Sequence, residues 1–190
     1  MEKTKKWSTK TMVLGAMLTA LVILLEVISA FLGKAGMFRF TFALVPIAIG
    51  AATCGVGVSG WLGLVFGLTV LLTGDAAAFL AVNPVGTVIT VLLKGVVCGV
   101  VAALVYKALS KVNRIVAIVV SALTCPFVNT GVFLLGCLAF FMETVTQWAG
   151  GGNVGQYMIF GLVGINFLFE LISTIVLTPV VVRILNIRKN

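Results

Sequence analysis

The sequence contains no histidine, and charged side chains make up only 9% of its 190 residues. Without histidine there is no imidazole metal ligand, no Ser-His or Cys-His nucleophile pair and no His proton relay. So little charge cannot cover a water-facing surface, since a soluble domain carries about 25% charged residues. Cysteine is sparse as well. Cys54, Cys98, Cys125 and Cys137 lie 44, 27 and 12 residues apart in apolar surroundings. With no CxxC pair, a zinc ribbon or redox motif is excluded and the cysteines read as buried free thiols. There is no GxxxxGK[ST] string, so the chain carries no P-loop with which to use ATP.

What the chain has in abundance is apolar sequence. Hydrophobic residues make up 61% of it, and a membrane span needs about 20 of them, which leaves room for roughly six spans. Six apolar runs are found, at 11–33, 42–52, 56–72, 85–106, 115–141 and 157–185, with Pro46 inside the second and Pro126 inside the fifth. The first run is too long for the apolar region of a signal peptide, and no cleavage site follows it. The expected fold is an all-α integral membrane protein, a six-helix transmembrane bundle forming one domain over residues 1–190. TGDAAAFLAVNP (73–84) reads as a linker with helix-breaking ends, and METVTQWAGGGNVGQ (142–156) as an irregular loop.

Charge placement orients this layout. With six spans, both termini and the even-numbered loops share one side. That side carries Lys3, Lys5, Lys6 and Lys10, then Lys107, Lys111 and Arg114, then Arg183, Arg188 and Lys189. The opposite side carries Lys34 and Arg39 with the acids Asp75 and Glu143. Basic residues mark the cytoplasmic side of a membrane protein, so both termini are expected in the cytoplasm. The net charge of +8 then reports topology and attraction to anionic headgroups, with no nucleic-acid partner implied.

Several motifs need weighing. Gly55-Val-Gly57-Val-Ser-Gly60 satisfies G-x-G-x-x-G, but it opens a membrane span instead of joining a strand to a helix, so it is not read as a dinucleotide site. Gly60, Gly63 and Gly67 continue along the same helix and form a smooth stripe for close packing. Ala16 and Ala20 make a small-xxx-small pair in the first run, widened by Gly15 and Thr19. That pair serves either internal packing or the docking of a partner helix. Glu26, Lys94 and Glu170 lie within apolar runs, where translocon scales charge about 2.5–3.5 kcal/mol for an ionised group at the bilayer centre. Asn129 and Asn166 fall in the same depth range, and Asn166 and Glu170, four apart, share one helix face. These groups form either a structural Lys–Glu pair with amide crosslinks or a polar pocket open to the outside. Glu26, nearer the end of its run, is expected to snorkel. Trp7 and Trp61 fit an interfacial aromatic belt, while Trp148 beside the triple glycine suits a lid.

Taken together, six spans in 190 residues, cytoplasmic termini, AxxxA in the first span, ALVPIAIGA (43–51), the glycine-rich third span, NPVGTVITVLLKG (83–95) and CPFVNTGVFLLG (125–136) resemble the substrate-binding S component of an energy-coupling factor (ECF) transporter. The resemblance covers essentially the whole chain. It implies a non-enzymatic transport subunit of the bacterial cell membrane. Such a subunit binds a vitamin or metal ion from outside and works with one transmembrane scaffold protein and two ATPases, which hydrolyse the ATP. It further implies that Ala16 and Ala20 form the docking surface for the scaffold, and that a pocket in the outer half is built by spans 4 to 6 and closed by the loops after spans 1, 3 and 5. Substrate-binding positions are then expected at Lys94, Asn129, Asn166, Glu170, Arg39, Asn83 and Trp148. The metal-ion members use N-terminal histidines that this chain lacks, so an organic vitamin is expected, with no metal and no cofactor. Lys94 and Arg39 suit a carboxylate, and Asn129 and Asn166 suit amides or hydroxyls. Pantothenate fits best, followed by folate and then riboflavin; a cation such as thiamine would prefer a pocket dominated by Glu170 and aromatic faces. The rival readings are a membrane enzyme using Glu26, Glu170 or Lys94, and a membrane scaffold or assembly protein with no small-molecule ligand.

Overall fold

The structure is a computed structural model that describes residues 8–34 and 41–187, and no strand occurs among them. Four helices are long and apolar enough to cross a membrane: α1 (Thr9–Lys34), α5 (Pro84–Leu109), α6 (Arg114–Phe140) and the continuous helical segment Val154–Arg183. Two shorter apolar helices lie between them, α2 (Leu44–Thr53) and α3 (Val56–Leu72). The last long segment starts as a short turn, α8 (Val154–Gln156), winds as a π-helix over Tyr157–Gly164, and continues as α9 (Ile165–Ile187). Two segments expected as linkers are partly helical. α4 (Ala77–Val82) lies within 73–84, and α7 (Met142–Trp148) occupies the first half of 142–156.

With 10 residues, α2 is only about 15 Å long at 1.5 Å per residue, half of a typical hydrocarbon thickness. Its Leu44, Pro46, Ile47, Ala48, Gly50 and Ala51 are buried. A helix apolar all round belongs inside a bundle, and α2 packs on α1, α3, α5, α6 and α9. On α1, by contrast, Gly15, Leu18, Val22, Glu26 and Ser29 recur at helical spacing as a single buried stripe, and the rest of the helix faces outward.

Helix starts follow from local chemistry. Asn83 precedes Pro84 and accepts a hydrogen bond from the Gly86 amide at 2.9 Å, and Asn113 accepts from Ile115 and Val116 at 2.9 and 3.2 Å. Asn as N-cap and Pro at the first helical position are the favoured pairing at such a boundary. Within helices, the hydroxyls of Thr19, Ser29, Thr69, Thr174 and Thr178 donate to the carbonyl four residues back. Such bonds satisfy the hydroxyl within its own helix, away from water. Between helices, Ser121 Oγ donates to the Ala102 carbonyl at 2.8 Å and Ser59 Oγ to the Ile47 carbonyl at 3.3 Å.

The glycine stripe of α3 packs on α5. A Cβ placed on Gly63 would collide with the Gly95 backbone, one on Gly95 with the Gly63 carbonyl, and one on Gly99 with the Ser59 carbonyl. Two backbones this close exclude any side chain at the crossing, as small residues allow between membrane helices. Overpacking typically costs about 1–3 kcal/mol, and here the obstacle is backbone instead of a movable side chain. G63A and G95A are therefore each expected to lower the thermal midpoint of the purified chain clearly. G131A, where an added Cβ meets nothing within 4 Å, should melt close to wild type. Equal midpoints for all three would show that the close approach is wrong.

Candidate substrate cavity

The crossing of α3, α5 and α6 leaves a cavity of about 250 Å³, which is also bounded by α1, α4 and the last helix. On α5, Thr87, Thr90, Val91 and Lys94 line it at spacings of three, one and three, which is one face of a helix. From α6 come Asn129, Thr130 and Phe133, and from the last helix Val163, Asn166, Phe167 and Glu170. Glu26, Thr41, Phe66, Asp75 and Phe79 complete most of the remaining wall.

Its polar groups are arranged asymmetrically. The Lys94 ammonium lies 5.7 Å from the ring centroid of Phe66 and 5.4 Å from that of Phe133, a distance at which the ring face attracts a cation. The Glu170 carboxylate is buried and accepts from the Asn129 side-chain amide at 3.3 and 3.5 Å; the Thr41 hydroxyl also hydrogen-bonds it. Among the described residues no salt bridge joins Lys94 to Glu170, though the charge of Lys94 acts on Glu170. Asn129 is 4% exposed and its Oδ1 has no hydrogen-bond partner, and the same is true of Thr90 Oγ1 at 3% exposure. A buried polar atom left open costs about 1–3 kcal/mol; both residues line the cavity, and Thr90 Oγ1 lies against Gly136 of α6.

Aromatic rings close one end. Phe79 on α4 packs edge-to-face on Phe133, Phe141 and Trp148, with centroids 5.5, 5.1 and 5.3 Å apart. The turn ahead of α4 is held by Lys34, whose Nζ donates to the Thr73 carbonyl at 2.7 Å. Gly74 follows with φ of 75°, a conformation that glycine adopts without steric cost.

The structure thus brings together four residues singled out in the sequence, Lys94, Asn129, Asn166 and Glu170. Asn83 does not line the cavity; its side chain caps α5. Trp148 also stands outside the lining and packs on the lining residue Phe79. Arg39 and Trp7 lie outside the described residues. Glu26 corrects the snorkelling expectation, being 3% exposed and part of the cavity wall. Thr87, Thr90 and Phe79 were not singled out. The two threonines were accessible by stepping back from Lys94 in helical register, whereas Phe79 arrives through tertiary folding of α4.

Residues 10–185 match the family described as ECF transporter, substrate-specific component. The chain belongs to that family. No curated protein and no solved structure matches the chain. As an ECF substrate-specific component, it is a membrane-embedded transport subunit that binds a substrate and is not an enzyme. The family implies uptake in partnership with an ECF scaffold and ATPase module, and a cavity lined by aromatic rings with charged and amide side chains is the kind of site that such a subunit needs.

Proposed function

We propose that this S component binds a small anionic vitamin, best matched by pantothenate, in the cavity around Lys94 and delivers it with an ATP-driven coupling module. The observation that carries the reading is Lys94 itself. Its ammonium rests on two phenyl rings and makes no salt bridge among the described residues, while its charge also acts on the buried Glu170; the carboxylate of a ligand would take up that charge at closer range. Asn129 and Asn166 in the lining suit the amide and hydroxyl groups of pantothenate, and the phenyl walls suit its geminal methyl groups. A volume of about 250 Å³ lies just below the usual span of ligand sites, about 300–1,000 Å³. That size favours pantothenate over folate or riboflavin.

The same reading has six spans with both termini in the cytoplasm, supported by the one-sided placement of lysine and arginine. Ala16 and Ala20 lie exposed on α1, beside Thr19, whose hydroxyl accepts from the Trp61 indole at 3.2 Å. This exposed small face is the proposed docking surface for the scaffold.

One observation favours a second ligand class. Glu26, Asp75 and Glu170 all line the cavity together with the rings of Phe66, Phe79, Phe133, Phe141 and Phe167, a setting that suits an aromatic organic cation such as thiamine. Mass spectrometry of the small molecule released from the purified chain, after growth in vitamin-complete medium, separates the two. Pantothenate near one equivalent is the expected result. Retained thiamine would support the cation reading, and an empty protein under all growth conditions would favour a scaffold role.

A further inference from the structure

The short helix α4 carries Phe79 into the cavity wall, yet none of its six residues is buried. A segment with so few buried contacts opens more readily than the long helices around it. Its place is set by the packing of Phe79 on Phe133, Phe141 and Trp148 and by its two ends. At the far end the Asn83 cap starts α5 and so fixes where α4 stops. At the near end lies the turn that leaves α3.

That turn is built in two parts. Gly74 sits at φ 75°, its amide donates to the Leu71 carbonyl at 3.4 Å, and the Asp75 amide donates to the Val70 carbonyl at 3.3 Å. This is the Schellman pattern of a helix C-terminus. The pattern leaves the Thr73 carbonyl to a donor from elsewhere, and Lys34 Nζ supplies it at 2.7 Å. Lys34 is the last residue of α1, so the bond ties the end of that helix to the turn from which α4 springs. Its charge also meets the negative end of the α3 dipole. Asp75, Ala76 and Phe79, which follow the turn, all line the cavity, whereas Lys34 is exposed and lies outside the lining.

We infer that Lys34 is a positioning residue for substrate retention: its bond to the Thr73 carbonyl keeps α4 and Phe79 over the cavity, and its loss lets that cover open and a bound ligand leave sooner. The inference rests on the reading of this cavity as the substrate site. It gives an exposed lysine that touches no substrate a part in how long substrate stays.

Cys137 supplies a reporter that needs no vitamin. It is fully buried and belongs to the cluster of Phe141, Val145 and Met158 against which Phe79 packs. Cys98 and Cys125 are equally buried, at the crossing of α5 and α6, where the Cys98 thiol donates to the Cys125 carbonyl at 3.4 Å. The full chain in detergent is treated with a cationic methanethiosulfonate, and labelling of each cysteine is followed by mass spectrometry. K34M should raise the rate at Cys137 roughly fivefold, the scale of one lost hydrogen bond to an exposed charged group, while Cys98 and Cys125 keep their wild-type rates. K34R, which retains a donor, should label as wild type. An unchanged rate at Cys137 in K34M would overturn the inference, and so would a rise shared by Cys98 and Cys125, which marks general loosening. Release of preloaded radiolabelled pantothenate is then timed on the same variants and should be faster in K34M by a similar factor and normal in K34R. Faster labelling of Cys137 with unchanged release would overturn the role in retention. Faster labelling with no pantothenate bound by any variant would uphold the hold on α4 and reject the vitamin assignment, so the two failures are distinguishable.

Discussion

K94M is expected to weaken pantothenate binding at least tenfold, equivalent to about 1.4 kcal/mol, while leaving the chain folded. The ammonium sits over Phe66 and Phe133 and makes no salt bridge with Glu170 among the described residues. Removing it therefore breaks no salt bridge among the described residues, and methionine fills a similar space among the rings. In the bound state the loss is larger, because a ligand carboxylate would be left in a partly desolvated site beside Glu170 with no counter-charge. Titration calorimetry on wild type and variant measures the difference. Unchanged affinity would mean that the carboxylate of the ligand does not meet Lys94. Tighter binding of an organic cation by K94M would instead favour the reading built on Glu170 and the phenyl rings.

The second large effect is expected in transport alone. A16W and A20W should each reduce vitamin uptake at least tenfold while ligand affinity stays within twofold of wild type. Both alanines are exposed on α1, on the side away from the Gly15, Leu18, Val22 stripe that packs into the bundle. An indole there lies on the exposed side of the helix, yet it would hold a docking helix away from the close approach that small residues permit. I23A, at another exposed position of the same helix, serves as the control and should transport normally. Wild-type uptake by both tryptophan variants would remove α1 as the docking surface.

The parts of the site that were legible in the sequence were those that violate the membrane rule. Lys94 and Glu170 stand out because lipid disfavours them, and Asn129 and Asn166 because they fall at the same depth. The glycine stripe at Gly60, Gly63 and Gly67 was legible as a close-packing face, and α5 meets it there. Other features depended on context that a linear reading under-used. Asn83 ahead of Pro84 carries the marks of a helix N-cap, and capping is what its side chain does. Glu26 lies four residues after Val22 and three before Ser29, so it belongs to the buried stripe of α1; its nearness to the helix end was the weaker signal. The short helices α4 and α7 were not legible, since six or seven residues flanked by glycine and asparagine show no helical period. The position of Phe79 over the cavity follows from how α4 folds back against α5, which no local pattern encodes.

In the proposed function the solitary chain binds its substrate without energy input. Equilibrium dialysis of radiolabelled pantothenate against the purified chain, with no ATP and no coupling subunits, tests this most directly. Saturable binding at one site per chain, displaced by unlabelled pantothenate and not by thiamine, is the predicted result. No saturable binding of pantothenate by the folded wild-type chain would contradict it.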